Sequence, residues 1–480
     1  MRNAVLVALS VFHSFVAFAE GEPGTTAQET PAVPAAAAQD AAITATPASA
    51  EQPAALPEPA KEAPAAEMPM HHQGHEHHGE RGEDGACGCP AGKAKGHFDL
   101  SVDGHLRVEA GSILPDRFMG IRMPASYERS ALPGVGRNDG FGLGDARLNL
   151  RAVYRDNLYV RLGFDGALVS YADDQDTVGA LSTGLKDAYL RYTFVPAASI
   201  FVGRFKPPFD VEELTPTEDQ FFVHRALESR GVLRHEGPHG DLFGRSDVAG
   251  FAPGRQMGVM LGSDKLMAGG AMSLGYALAV TNGNSGDAAF NDNDLPAAYG
   301  RFFARFAAAG DGDDEEGPAT HRQVQEGGIV GLSGFYNELS YGLEPSRYSD
   351  RVIGAGLDVA WHFMVFYLQG QLLGARTDAM SRTGLEPVYS LGGHAQVSVQ
   401  VPDTGFYPGY RFALLDPREV KTSDAAAGAD VDRVVLHTVG FKYIAESMPL
   451  ILHLEYAHSV EQGGRAQAND RVEAATQVTF

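Results

Sequence analysis

The chain lacks three features that would place it in a common class of protein. After residue 19 no run of eighteen consecutive residues is apolar, which excludes transmembrane helices. Lys and Arg total 38 against 61 Asp and Glu, giving a formal charge of −23. No basic stripe is present to neutralise phosphates, so nucleic acid is not an expected partner. There is also no GxSxG motif, which disfavours a serine hydrolase.

Residues 1–19 have the pattern of a secretory signal peptide. Arg2 supplies a short positive region, residues 4–18 are mostly apolar, and small residues at Ala17 and Ala19 flank Phe18. We predict cleavage after Ala19. The alternative, an uncleaved anchor, is disfavoured because the apolar run is too short to span a bilayer. No Cys lies at the cleavage point, so a lipoprotein is not expected.

Residues 20–96 are predicted to form a disordered tether, because Ala, Pro, Glu, Thr and Gln dominate and little can be buried. Its last part is rich in metal-ligating residues: His71, His72, His75, His77, His78, Cys87 and Cys89. Their spacing matches no defined zinc finger or ribbon. Weak adventitious binding of Zn, Cu or Ni, a purposeful metal role and a plain hydrophilic tether all remain open. The two cysteines could stay free, join another chain or form a strained local disulfide. No other cofactor is expected.

Residues 97–480 predict an all-β fold, a transmembrane antiparallel β-barrel of about sixteen strands. Sixteen segments of alternating polarity recur from Phe98 to Phe480, with the second over residues 145–155 and the third over residues 158–168. The connections between them alternate between short and long, as do the periplasmic turns and external loops of such barrels. An even strand count and moderate hydropathy are both typical of this class.

The last strand shows the pattern most clearly. One face carries Val472, Ala474, Thr476, Val478 and Phe480, and the other carries Arg471, Glu473, Ala475, Gln477 and Thr479. We expect the first face to contact lipid and the second to face a wet lumen. A soluble β-sandwich could show the same alternation, but the signal peptide disfavours it. The terminal strand should pair with the strand near Phe98 and so remove the free edges of the sheet.

Arginine recurs on the faces predicted to line the lumen. The candidate wall residues are Arg147, Arg151, Arg155, Arg161, Arg191, Arg301, Arg305 and Arg411. Guanidinium groups stay charged and offer forked donors to carboxylate or phosphate oxygens, so this wall could lower the barrier for anions. The alternative is that the arginines only pair with inward acids such as Asp99, Asp145, Asp165, Asp187 and Glu455.

The long connection after the fifth strand is the predicted constriction loop, because its aromatic and apolar residues could pack inside the barrel. Three stretches carry a resemblance to the phosphate-selective porin O/P family: LKDAYLRYTFVPAASIFVGRF, the loop from Gly203 to Gly231, and GRQMGVMLG from Gly254. The resemblance is good over residues 144–283 and looser to Phe480. It implies a trimeric sixteen-stranded diffusion porin whose third loop narrows the pore and whose basic residues favour anions.

The residues that match the loop supply the candidate constriction site: Arg204, Lys206, Arg225, Arg230 and Arg234. However, nine acidic residues between Lys206 and Ala252 outnumber the basic ones, so phosphate selectivity does not follow from the resemblance. A general porin of modest selectivity is the preferred interpretation. No enzyme is expected.

These observations predict an outer-membrane porin of a Gram-negative bacterium. It would form a water-filled diffusion channel for small hydrophilic solutes and ions, which could include anions such as phosphate. Its expected partners are outer-membrane lipid, the permeant solutes and two further copies of itself, and its tether would lie in the periplasm. The alternatives are a metal-handling barrel that uses the histidine-rich tether and, less favoured, a barrel enzyme.

Overall fold

A computed structural model describes the β-rich part of the chain, beginning at Phe98. The described residues are 98–113, 140–155, 157–169, 184–233, 241–244, 248–269, 272–284, 293, 295–307, 327–342, 346–382, 384–417, 433–445, 447–461 and 470–480. The predicted signal peptide and tether, with the five clustered histidines His71 to His78 and both cysteines, lie outside these residues.

Eighteen strands occur in the described residues. Their bounds are β1 Phe98–Ile113, β2 Gly140–Tyr154, β3 Leu158–Asp165, β4 Leu185–Val195, β5 Ala198–Phe205, β6 Val232–Leu233, β7 Val248–Ala249, β8 Gln256–Gly269, β9 Met272–Thr281, β10 Ala297–Ala307, β11 Gly327–Tyr341, β12 Tyr348–Phe363, β13 Phe366–Ala379, β14 Val388–Val399, β15 Phe406–Pro417, β16 Val434–Ile444, β17 Leu450–Glu461 and β18 Arg471–Thr479.

Sixteen of these strands form one closed antiparallel barrel, which confirms the predicted fold class. Each strand pairs with its neighbours in sequence, except that β5 pairs with β8, because the short pair β6–β7 belongs to the connection between them. The barrel closes where β1 pairs with β18. At this seam Gly104 and Phe480 exchange two backbone hydrogen bonds of 3.0 Å. The predicted pairing of the terminal strand with the strand near Phe98 is therefore confirmed.

Side chains alternate across the barrel wall as the sequence predicts. Val472 and Val478 of β18, and Phe480 directly after it, are exposed on the outer surface, whereas Arg471 and Gln477 are buried on the lumen side. The outward positions of other strands are likewise large and apolar, for example Leu332 on β11 and Leu357 on β12. In a bilayer these exposed residues contact lipid, so an apolar outer surface is stable there.

Several strand bounds differ from the predicted segments, and the second and third strands show the physical reason. The structure begins β2 at Gly140, five residues earlier than the sequence pattern, because residues 140–144 still pair with β1 up to Gly111. The third strand ends at Asp165 and not at residue 168. The Asp165 carboxylate accepts hydrogen bonds from the backbone N–H of Ala167 (3.0 Å) and of Ala146 (3.1 Å), which turns the chain into the short helix α1, Gly166–Val169.

Helices are few and short. Besides α1, the described residues contain α2 Val211–Leu214, a 3-10 turn Thr217–Asp219 and α3 Leu227–Arg230. None of the helices in the described segments is long and apolar enough to cross a membrane. All of α2, α3 and the 3-10 turn belong to the connection between β5 and β8. That connection supplies many of the residues of the main apolar core, which lies inside the barrel.

Candidate functional site

The connection from residue 206 to residue 255, here named the constriction loop, folds into the barrel. Phe209, Val211, Leu227 and Phe251 are completely buried. The ring of Phe209 packs edge-on against Phe335 of β11, with 4.8 Å between ring centres. Burying these apolar side chains against the wall is favourable by roughly 1.5–3 kcal/mol each. The predicted inward fold of this connection therefore has an apolar anchor.

A buried polar cluster fixes one end of the loop to β13 and β14. The Gln371 Nε2 atom donates to Asp210 Oδ1 and to Glu228 Oε1, each at 2.8 Å. Gln371 Oε1 accepts from the backbone N–H of Val211 at 3.0 Å. His394 Nδ1 lies 2.5 Å from Glu228 Oε1. One glutamine thus binds both the start of α2 and the start of α3.

Asp210 holds this corner of the loop in an uncommon conformation. Its φ is 67°, and its side chain accepts from the backbone N–H of Glu212 at 3.0 Å. Ser229 Oγ donates to the same carboxylate at 2.8 Å. Burial, opposed by the hydrogen bond from Ser229 and reinforced by nearby Glu228, raises the pKa of Asp210 to about 7.

The middle of the loop is tied to the next strands mainly through its backbone. Lys442 of β16 donates to the carbonyl of Gln220 at 3.2 Å, and Arg411 of β15 donates to that of His224 at 2.9 Å. Glu455 of β17 accepts from the N–H of Val223 at 2.8 Å. Arg107 of β1 also donates to the Val223 carbonyl. Long polar side chains of the wall therefore satisfy the backbone groups of a buried loop.

These contacts hold the loop against one side of the lumen and leave a gap on the other. The gap lies between the loop and the wall of β2, β3, β4, β5 and β8. Its charged lining groups are Arg147, Arg161, Asp187, Lys206, Glu218 and Arg255. Leu214 and Pro216 form part of the loop side, and Tyr189, Phe201 and Met260 part of the wall side.

Positive charge exceeds negative charge along this lining. Asp187 is engaged by Arg255 through two hydrogen bonds of 2.8 and 3.2 Å, and lies 4.0 Å from Arg161. Arg147 lies 3.1 Å from Asp145. Burial, reinforced by Arg255, lowers the pKa of Lys206 to about 7. Four cationic side chains thus face the gap against two acids, and one of those acids already binds two guanidinium groups.

The candidate residues of the loop occupy different places. Lys206 lines the gap. Arg225 points into the loop, 3.5 Å from Glu213, whose pKa would be raised by burial but is held at about 2 by Arg225 and Lys206. Arg230 lies at the end of α3, where burial and neighbouring Arg471 lower its pKa to about 10. Arg234 lies outside the described residues.

Arg204 differs from its expected place at the base of the constriction. On β5, Phe201 and Phe205 are buried on the face toward the lumen. Arg204 lies two residues after Val202, which is exposed, and therefore shares the opposite face. Its direct neighbours across the sheet are Ala188 and Met257. The strand period therefore places Arg204 on the outer face, so it does not line the gap.

The wall arginines mostly face the lumen, and many pair with acids or stack on rings. Two of them pair with acids: Arg151 lies 2.8 Å from Asp103, and Arg301 forms two hydrogen bonds of 2.5 and 2.7 Å to Asp358. Three others stack on aromatic rings: Arg191 on Tyr159, Arg305 on Phe303 and Arg411 on Phe222. Arg155 is an exception. It follows β2 in a turn with φ 53° and is exposed, because the chain reverses there, and it stacks on Tyr154.

Two features escaped the sequence reasoning. Arg255 immediately precedes β8 and becomes a lining group only because Asp187 of β4 faces it. The sequence reasoning expects no HExxH pattern, but His235-Glu236-Gly237-Pro238-His239 matches it. That zinc motif needs both histidines on one helical turn, and Pro238 opposes a helix there. These five residues lie outside the described part of the chain.

Comparison with known proteins decides the class. Residues 119–327, which include the constriction loop and its flanking strands, match the family model "Phosphate-selective porin O and P". This match covers less than half of the chain, and over these residues the chain is similar to this porin family. It forms a water-filled diffusion channel in the outer membrane of a Gram-negative bacterium, and porins of this family and fold are channels that catalyse no reaction.

Solved structures similar to this porin are barrels of low sequence identity. They include the anion-selective porin from Comamonas acidovorans, with TM-score 0.48, 12% identity and coverage of 80% of this chain and 100% of that chain. The outer-membrane channel DcaP of Acinetobacter baumannii has TM-score 0.48 and 12% identity, over 80% of this chain and 97% of that chain. OmpF of Salmonella typhi, in complex with daunomycin, has TM-score 0.47 and 13% identity, over 79% and 97%. No curated protein matches.

Proposed function

We propose that this porin prefers small hydrophilic anions, including phosphate, and that the gap beside the constriction loop is where the preference arises. The observation that carries the proposal is the charge of the lining. Arg147, Arg161, Lys206 and Arg255 face the gap against Asp187 and Glu218. A narrow passage with low-dielectric walls strengthens such a field, which lowers the barrier for anions and raises it for cations.

Of the acidic residues of the loop, Glu218 lines the gap, whereas four others are held in contacts with the far wall or within the loop. Asp210, Glu212 and Glu228 are buried in the cluster that binds Gln369, Gln371 and His394 on the far wall. Glu213 pairs with Arg225. The excess of acids over bases in the loop sequence therefore does not describe the charge that a permeant ion meets.

Reversal potentials in planar bilayers test the proposal. With a KCl gradient across the membrane, the sign of the zero-current potential shows whether chloride or potassium carries more current. We expect stepwise conductance and a zero-current potential whose sign shows that chloride carries more current than potassium. A zero-current potential of the opposite sign would show that potassium carries more current. That result would overturn the anion preference but would still show that the protein forms a channel. Addition of phosphate should reduce the chloride current if phosphate enters the same gap.

We further propose that the porin is a homotrimer whose tether lies in the periplasm. An even number of barrel strands puts the start of β1, at Phe98, and the end of β18 at the same end of the barrel, and there Phe480 bonds to Gly104 across the seam. In a porin this end faces the periplasm. Crosslinking in intact outer membranes should give a three-chain species, and external protease should cleave the tether only after the membrane is opened.

A further inference from the structure

Two histidines form a direct cross-strand pair on the outer face of the barrel. His437 of β16 pairs with His458 of β17. They share their face with Val439 and Val460, which are exposed. The ring centres are 6.3 Å apart and the ring planes are inclined by 29°. Cross-strand neighbours on one face are the closest side-chain pairs that a sheet offers.

Each ring is oriented by a hydrogen bond at its Nδ1 atom. His437 Nδ1 lies 2.8 Å from the Tyr410 hydroxyl on β15. His458 Nδ1 lies 2.7 Å from Asp470 Oδ1, and the Tyr456 hydroxyl donates to the other oxygen of Asp470 at 2.6 Å. The two hydrogen bonds point toward β15 and β18, away from the space between the rings.

The bond to Asp470 determines which nitrogen of His458 is available, and His437 Nε2 is available when the Tyr410 hydroxyl accepts from Nδ1–H. An ionised carboxylate only accepts, so His458 must carry its proton on Nδ1, and its Nε2 then holds a lone pair. A histidine whose Nδ1–H is bound by a carboxylate is the arrangement that orients metal-binding histidines and raises their basicity. Nε2 is the ring nitrogen farther from the backbone, so both Nε2 atoms lie at the outer ends of the two rings.

We propose that His437 and His458 bind one divalent transition-metal ion, Zn²⁺, Cu²⁺ or Ni²⁺, through their Nε2 atoms. Imidazole suits these borderline ions. With metal–nitrogen bonds of about 2.0 Å at a tetrahedral angle, the centres of two bound rings lie about 5 Å apart. The rings must therefore approach by about 1 Å from their present separation, which a small side-chain rotation provides. His458 has 49% of its side chain exposed, so neighbouring side chains of the barrel do not cover it.

The proposed site uses none of the histidines of the predicted tether. His437 and His458 lie three residues from the ends of β16 and β17 that adjoin the longer connections, whereas residues 445–449 join these strands at the other end. β1 begins at Phe98, toward the end of the barrel where Phe480 bonds to Gly104. Among the described residues no group of three or more His, Cys, Asp or Glu has the arrangement of a metal site, so the pair would act with two protein ligands.

Zinc titration of the full-length porin tests the site. The parent protein carries Gln in place of the five tether histidines and of His235 and His239, and Ser in place of both cysteines, which removes these competing ligands. Isothermal titration with Zn²⁺ in detergent should give one ion per chain. His437→Gln or His458→Gln should lower the affinity at least tenfold, and the double variant should lose little more because both residues bind one ion. His362→Gln, on β12, is the matched control and should leave binding unchanged.

A second measurement separates this site from loosely bound metal. Asp470→Asn keeps both ligands but removes the carboxylate that orients His458, and should weaken binding by roughly 10–100-fold. Electron paramagnetic resonance of bound Cu²⁺ should show coupling to two nitrogens in the parent and to one in His437→Gln. Absence of saturable binding in the parent, or equal binding in the parent and both histidine variants, would overturn the proposal.

Discussion

The Nδ1 atom of His394 on β14 lies 2.5 Å from Oε1 of Glu228 in the constriction loop, and both side chains are completely buried. Gln371 of β13 donates to the same carboxylate oxygen. These contacts join the loop to the wall opposite the gap. The width of the passage therefore depends on a polar cluster that no permeant ion contacts.

Replacing Glu228 by Gln should loosen the loop. The change keeps the shape but leaves His394 without its nearest charged partner, and breaking a buried pair in this way costs about 3–5 kcal/mol. We expect a folded, heat-modifiable barrel with larger single-channel conductance and more open-channel noise. Glu338→Gln, the same change on the outward face of β11, is the control. A quiet channel of unchanged conductance would show that this pair does not hold the loop.

Docking of the loop should weaken as the pH rises from about 4 to about 7. The pKa of Asp210 is raised from 3.8 to about 7 in the folded protein, so between these values the docked loop binds a proton that the undocked loop does not. Protonation thus stabilises docking, and this contribution is lost as the pH passes 7. Open-channel noise should increase accordingly. Asp210→Asn, which tolerates the positive φ, should remove the pH dependence.

Lys206 should make anion preference depend on pH. Its pKa is lowered to about 7, so its positive charge is present at pH 6 and mostly lost at pH 8. The chloride preference measured by reversal potential should therefore fall over this interval. Lys206→Arg should keep the preference at both pH values because guanidinium stays charged. Lys206→Met should give the lower preference throughout, and a pH effect that persists in Lys206→Arg would assign it to another group.

Neutralising a lining arginine should change selectivity more than neutralising one inside the loop. Arg161→Gln removes a charge that faces the gap, whereas Arg225→Gln removes one that pairs with Glu213. We expect the reversal potential to move toward zero in the first variant and much less in the second. Equal shifts, or a larger one for Arg225→Gln, would place the selective passage on the other side of the loop.

The barrel seam should be sensitive to volume at Gly104. A Cβ added there would lie 2.8 Å from the ring of Phe480 and even closer to the carbonyl of Arg147. Overpacking of this kind costs about 1–3 kcal/mol. Gly104→Val should lower the temperature at which the folded gel band converts to the unfolded one. Gly142→Ala on β2, where an added Cβ meets nothing within 4 Å, should leave that temperature unchanged.

Local patterns were sufficient for the barrel and insufficient for the site. The alternation in β18 and the sixteen segments predict the strands and their two faces, because the period of two is a property of the extended chain itself. Arg204 shows the limit. The sequence places it beside the loop, but only its register between Ala188 and Met257 shows that it faces outward. Arg155 was likewise assigned to the wall, although the turn begins at that residue.

The amino-acid sequence by itself determined the class, the strand number and the inward fold of one apolar loop, since each depends on residues close together in the chain. Only the tertiary structure decided which charges meet at the gap. Arg255 and Asp187 are 68 residues apart, and Gln371 and Glu228 are 143 apart. Electrostatic fields depend on distance in space, so a count of acids and bases along the loop cannot give the charge that an ion meets.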